Sequence, residues 1–304
     1  MRRSLNWLRA AVLLLWGAAA LCAPVAARAC SMCHCGDPVY RLVGGPFGQQ
    51  SLRFSLEMDQ YEKDQVWTEG PAGRETETEI RATLAGAWTP APALRLVARV
   101  PFSARTVSNP AESNTLRGLS DPDLSGQFAF LRTGGERPQW LALTAGVKSS
   151  WGQNDRELNG VRAEEHLQPG TGAVSYSTGL AYALDFSSVS HAYASASGRW
   201  NGRNASGYRY GNALLATAAY QRGMTSWLSA AAELNFRSAA RDDDAGTLDP
   251  NTGGAVLYVT PRVNLALGGG PMALRLGVQI PVMQRLYGDQ NEHTNFLTGL
   301  VFAL

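Results

Sequence analysis

After the N-terminal leader no stretch reaches the roughly 18 uninterrupted apolar residues that a membrane-crossing helix needs. From Gln49 onward no long segment holds apolar residues at helical spacing either. A helical anchor in the mature protein and a helical bundle are both excluded. The four cysteines, Cys22, Cys30, Cys33 and Cys35, all lie near the start, so no disulfide framework staples the body of the chain. A basic excess is missing as well: losing a leader that carries Arg2, Arg3, Arg9 and Arg28 and no acid takes the formal charge from +2 to −2. Nothing in that balance argues for nucleic acid. The chain has no Gly-x-Ser-x-Gly or comparable nucleophile signature, and His34, His166, His191 and His293 are scattered, so no enzyme is expected.

What is present begins with a basic N-terminus, an apolar run from Leu8 to about Leu21 and a small-residue site at Ala27-Arg28-Ala29. This is the pattern of a secretory signal peptide over residues 1–29. Residues 30–48 come next as a Cys/His-rich segment, "CSMCHCGD", expected on the periplasmic side. Cys30-x-x-Cys33-His34 is the pattern of c-type haem attachment, two thiols for the vinyl groups and an imidazole for the iron. The same segment offers Cys30, Cys33, His34 and Cys35 as three thiolates and an imidazole, a set suited to Cu(I) or Zn. A disulfide or an inert tether is the third reading. Haem, soft metal and clasp stay open at this point.

From residue 49 to 304 the pattern has period two. Leu52, Phe54, Leu56 and Met58 alternate with Arg53, Ser55, Glu57 and Asp59, and Leu274, Leu276, Val278, Ile280 and Val282 alternate with Arg275, Gly277 and Gln279. Runs of about 10 to 16 residues exceed ordinary globular strands and suit tilted strands that cross a membrane. About twelve are expected, near 50–67, 74–89, 93–106, 122–132, 138–151, 172–186, 188–200, 208–222, 225–238, 253–266, 271–286 and 292–304. Compact breakers such as Thr89-Pro90-Ala91-Pro92 take turns with longer polar stretches at 107–121, 152–171 and 239–252. That is the rhythm of short periplasmic turns and long outer loops. Trp88, Trp140 and Trp227 on one side and Trp67, Trp151 and Trp200 on the other fall near strand ends, as two interfacial girdles require. Phe296, Leu300, Phe302 and Leu304 share a face in a last strand similar to the signal read by the outer-membrane assembly machinery. The fold class is therefore all-β, an antiparallel transmembrane barrel of about twelve strands in the outer membrane of a Gram-negative bacterium, in contact with lipid.

If the apolar face meets lipid, the lumen collects Arg53, Glu57, Asp59, Glu77, Glu79, Arg81, Arg95, Arg99, Lys148, Glu233, Arg237, Arg262, Arg275 and Arg285. These are the candidate channel-lining residues, with Arg53, Glu57, Glu79, Arg81, Arg99, Glu233, Arg262 and Arg275 foremost. Opposite charges either form a polar wall for ions and small solutes or pair and fill a narrow lumen. Asp242-Asp243-Asp244 reads as a solvated outer loop, with a divalent cation as the alternative. Asp121 and Asp123 around Pro122 read as turn chemistry.

Two stretches, "GLSDPDLSGQFAF" (118–130) and "LALTAGVKSSWGQNDRELNGVRAEEHLQPGTGAVSYSTGLAYAL" (141–184), resemble the outer-membrane barrel family named for the MetA pathway of phenol degradation, whose members are described as transporter-like. That resemblance implies a barrel and a transport role for small molecules. It brings no catalytic residues, and "VKSSWGQ" departs from the family's Pro-Thr-Gly turn. In architecture alone, a short Cys-x-x-Cys-His segment ahead of a barrel is similar to monohaem cytochrome-porins. The expected function is thus a solute channel, with a haem- or metal-bearing barrel for electron transfer or metal handling as the alternative.

Overall fold

The computed structural model describes residues 51–67, 73–268 and 271–304. The Cys/His segment, including Cys30, Cys33, His34 and Cys35, lies outside them.

Twelve antiparallel strands close into a barrel. The first six are Ser51–Trp67, Gly73–Ala91, Leu94–Ser108, an interrupted fourth (Ser113–Leu119 and Asp123–Thr133), Gln139–Lys148 and Ser175–Ser187. The other six are Ser190–Asn201, Ala213–Gly223, Leu228–Ala239, Gly254–Leu267, Met272–Leu286 and an interrupted twelfth (Gln290–Glu292 and Asn295–Ala303). Closure is direct: the first strand pairs with the second from Ser51↔Thr89 to Trp67↔Gly73, and with the twelfth from Arg53↔Ala303 to Gln60↔Phe296. Every edge is thereby removed, as a lipid environment demands of a sheet.

Alternation decides which face each residue takes. On the second strand Glu75, Glu77, Glu79, Arg81, Thr83, Ala85, Ala87 and Thr89 are buried toward the interior, while Ile80, Leu84 and Trp88 are exposed outside. The same outward apolar surface continues through Phe54, Leu56, Phe102, Phe128, Leu180, Leu234, Phe296 and Leu300. A soluble sheet would hide these side chains and expose the charges; here the order is inverted, and only lipid outside the ring makes it favourable.

Four expectations need correction. The fourth strand begins at Ser113 rather than near 122, because a tight turn closed by Asn109 lets it pair with the third strand from Ser108↔Ser113 to Phe102↔Leu119. Tyr208 and Arg209 do not belong to the eighth strand; they pair with Asp244 and Asp243 in a small sheet of the outer loops. Trp140 is no girdle residue but points inward, its ring centroid 6.1 Å from that of Tyr193. Trp88 and Trp227, and Trp151 and Trp200 at the opposite end, are exposed where girdles were expected. Finally, Arg285 is exposed. The pairing Leu257↔Met283 is followed by Tyr258↔Pro281, so Val282 is an extra residue in the eleventh strand. A bulge of one residue exchanges the faces of the residues beyond it. Gln284 turns inward in its place, hydrogen-bonding both the backbone nitrogen and the carbonyl oxygen of Glu292.

Candidate functional site: the barrel interior

The interior is built in three levels. In the middle, charged side chains meet in pairs. Lys63 lies 2.8 Å from Glu77. Glu79 receives both nitrogens of Arg81, at 3.1 and 2.9 Å, together with the hydroxyl of Ser103 at 2.5 Å, and Arg105 lies 3.5 Å away. Across the barrel Arg262 pairs with Glu233, and Arg237 and the Tyr258 hydroxyl both engage Glu292. Asn235 links Thr217 and Thr260 at 3.0 Å each. Charges this deeply buried are tolerable only when paired and hydrogen-bonded. Alternation puts these acids and bases on the inner face, Lys63 opposite Glu77 in register and Arg81 two residues from Glu79 on one strand, and the ring's closure brings the first three strands next to the last three.

The wall formed by the fifth to seventh strands is different. Its inward positions include Thr144, Gly146, Ser177, Ser195 and Ser197, small side chains that remain partly accessible. These small positions share their strands with the larger inward side chains of Trp140, Lys148, Tyr193 and Arg199.

The mouth at the long-loop end is covered. The 149–174 loop carries a short 3₁₀ turn, Glu165–Leu167, into the top of the barrel. There Leu167 packs with the inward-facing Val107 and with Leu116 and Ala163. Arg105 donates to the carbonyl of His166 at 3.5 Å, and the His166 ring lies 3.8 Å from Glu77, 3.8 Å from Asp242 and 3.0 Å from the Tyr208 hydroxyl. Tyr210 donates to the Glu165 carbonyl at 2.9 Å, while Ser206 and Asn204 donate to its carboxylate at 2.6 and 2.9 Å. Asp242, expected in a solvated run, is instead buried, accepting from Gly211 N–H and Tyr208 O–H at 2.8 Å each. Asp243 takes Arg203 and Arg209 at 2.6 and 3.1 Å, and only Asp244 of the three is fully exposed. Among the described residues no group of three or more His, Cys, Asp or Glu is placed to hold a metal ion.

The cap hangs from Asp121. Its carboxylate accepts from Gly152 N–H (3.0 Å), Thr171 N–H (2.8 Å), Thr171 O–H (2.6 Å) and Lys148 (2.7 Å). Gly152 and Gly170 meet backbone to backbone: a Cβ on Gly170 would lie 2.6 Å from the Gly152 Cα. So the two stretches that carried the family resemblance, "LSDPD" and "QPGTG", are one structural joint. Asp121 is far more than a turn residue.

Protonation acts on this cap. Burial pushes the Glu164 carboxyl up, with His166 opposing and Glu77 and Glu75 adding to the shift; burial also pushes Asp242 up, against His166 and its hydrogen bonds. A carboxyl raised on folding contributes stability that is complete below its ordinary value and is lost as pH rises through the raised one. Asp243 works oppositely, held low by its hydrogen bond to Arg203. Hydrogen exchange in the 156–168 segment, corrected for intrinsic rate, is expected to slow as pH falls from the alkaline side toward the ordinary carboxylate range. Faster exchange over that interval contradicts the assignment.

At the end of the barrel that carries the short turns a cavity of about 380 Å³ opens, rimmed by Thr225, Ser226 and Trp227. Arg53 and Arg275 line it, as do Trp140, Tyr193 and the His191–Asp185 pair, whose ring nitrogen and carboxylate lie 2.6 Å apart. Of the residues foreseen as lumen-facing, Arg53, Glu57, Glu79, Arg81, Arg99, Glu233, Arg262 and Arg275 all occupy the inward register. Arg99 meets Asp123 at 3.0 Å beside a smaller cavity that also touches Lys148 and Arg199. The outer cap was not foreseen, because its partners are brought together by loop folding rather than by alternation.

No family model matches the chain, and no curated protein matches it. Solved structures do. An outer-membrane channel from Pseudomonas putida F1 superimposes with a TM-score of 0.64 at 13% identity, covering 88% of this chain and 99% of that one. The translocator domain of the autotransporter NalP from Neisseria meningitidis gives 0.49 at 12% identity, over 86% and 90%. At such identities the likeness is one of fold: this chain has the fold of outer-membrane barrels.

Proposed function

We propose that the chain is an outer-membrane channel for small solutes in a Gram-negative bacterium, exported by the residue 1–29 signal and inserted by the barrel assembly machinery through its last strand. The observation that carries this reading is the inverted barrel: an apolar exterior around a charged and hydroxyl-lined interior, with small, partly accessible side chains on the fifth to seventh strands. A wholly inert barrel has no use for accessible polar surface along one wall. The solved channel of the same fold supports the reading.

Purified protein in a planar bilayer is expected to give discrete conductance steps and, in liposomes, uptake of small solutes. Silence in both experiments, with correctly folded barrel, overturns the proposal. A second reading rests on Cys30-x-x-Cys33-His34 and Cys35: a haem c, or Cu or Zn, held at the periplasmic side for electron transfer or metal handling. An absorption spectrum and elemental analysis of the same preparation decide between a loaded and an unloaded segment.

A further inference from the structure

We infer that the smaller cavity, between Asp121 and Arg199 on the barrel wall, is a binding site for one carboxylate group of a small solute. This deepens the channel reading, on which its purpose rests, by naming the charged group that the wall accepts. Strand register builds the site. Ser125 on the fourth strand stands opposite Gly146 on the fifth, Gly146 opposite Ser177 on the sixth, and Ser177 opposite Arg199 on the seventh. One step nearer the long loops runs a second row, Arg99, Asp123, Lys148 and Ser175. Both rows border the cavity. A Cβ on Gly146 would lie 2.8 Å from Ser177 Oγ and 3.0 Å from Ser125 Cβ, so a glycine is what lets the two serines lean together with no side chain between them. Arg99, Ser125, Ser177 and Arg199 all remain partly accessible.

The charge balance favours an anion. Four cations border the cavity, Arg81, Arg99, Lys148 and Arg199, against two acids, Asp121 and Asp123. Both acids are engaged: Asp123 accepts from Arg99 at 3.0 Å, and Asp121 accepts from Lys148 at 2.7 Å and from the backbone of the cap joint. Glu79, which takes Arg81 at 2.9 Å, still leaves the cations ahead. Lys148 and Arg199 lie close enough to repel each other, and an anion between them replaces that repulsion with two attractions. A carboxylate presents its two oxygens in the plane of a guanidinium fork, and serine hydroxyls supply further directed donors. The volume, about 50 Å³, falls far below the roughly 300 Å³ at which a pocket encloses a whole ligand. The wall therefore grips the charged end of a solute and leaves its body in the lumen.

The test is calorimetric and needs no transport. Full-length protein in detergent, shown to be folded by its heat-dependent mobility on a denaturing gel, is titrated at constant ionic strength with acetate, inorganic phosphate and acetamide. Acetate is expected to bind at least about tenfold more tightly than acetamide, which has its shape without its charge. Arg199→Gln is expected to weaken acetate about tenfold. Arg132→Gln, which removes one exposed charge elsewhere on the barrel, is expected to leave it unchanged. Ser177→Ala removes a hydroxyl and no charge, is expected to weaken acetate severalfold, and serves as the deciding variant if Arg199→Gln misfolds. Equal affinity for acetate and acetamide, acetate binding indifferent to Arg199→Gln and Ser177→Ala, or phosphate binding more tightly than acetate overturns the site. Because binding is read apart from conductance, a silent bilayer with intact acetate binding refutes the channel alone, and a conducting protein that does not distinguish acetate from acetamide refutes the site alone.

Discussion

Replacing Asp121 by alanine is expected to lower stability by about 3–5 kcal/mol, the cost of breaking a buried ion pair from one side. Three effects coincide. The Lys148 ammonium, only 9% exposed, loses its carboxylate at 2.7 Å and keeps Thr171 and the Ala173 carbonyl at 3.2 Å as its remaining partners. The N–H groups of Gly152 and Thr171 lose their acceptor inside a joint too tight for water to replace it, because Gly170 already touches Gly152. And the 149–174 loop loses its attachment to the break between the halves of the fourth strand. The temperature at which the barrel loses its folded gel mobility should fall, and exchange in 150–172 should rise to that of an unstructured segment. Adding Lys148→Met to Asp121→Ala is expected to recover part of the loss, since the stranded charge is removed. A single variant with wild-type melting and exchange shows that Asp121 anchors nothing.

The second large effect is on passage. Replacing residues 154–168 by a short Gly-Ser link leaves Asp121, Gly152, Gly170 and Thr171 in place but removes the turn that carries His166 and Leu167 into the mouth. Single-channel conductance is expected to rise severalfold. Selectivity should move toward anions, because the removed stretch takes four carboxylates, Asp155, Glu157, Glu164 and Glu165, with only Arg156 and Arg162, while Glu77 keeps its pair with Lys63 below. Reversal potentials under a potassium chloride gradient read that shift. Conductance unchanged by the replacement means that the cap does not limit passage.

Legibility in the sequence tracked the physical origin of each feature. The barrel was readable because one rule, lipid outside and polar groups inside, is printed on every second residue from Leu52 to Phe302. The lumen charges were readable for the same reason. Arg285 was misplaced because a bulge leaves no mark in an alternation: Val282 and Met283 are both apolar, so the slip between faces is silent. Trp140 was misplaced because an aromatic near a strand end suits an interface and a cavity wall equally well. The cap was hidden because Asp121 finds its partners 27 to 50 residues away, and Asp242 finds Gly211 and Tyr208 31 and 34 residues away. Nothing local distinguishes such an aspartate from one in a solvated turn. The motif "LQPGTG" was visible as a resemblance, but its role became clear only with Gly170 lying on Gly152.

That contact of two glycines bears on variation. Where the chain leaves the barrel after the fifth strand and returns before the sixth, it passes through a neck pinned by one carboxylate, and everything from residue 153 to 169 lies beyond the neck. Lengthening, shortening or recomposing that stretch alters what the mouth admits without shifting the register of any strand. Filter and frame can therefore change independently along the sequence, so barrels of this build can diverge in what they accept while keeping the same wall.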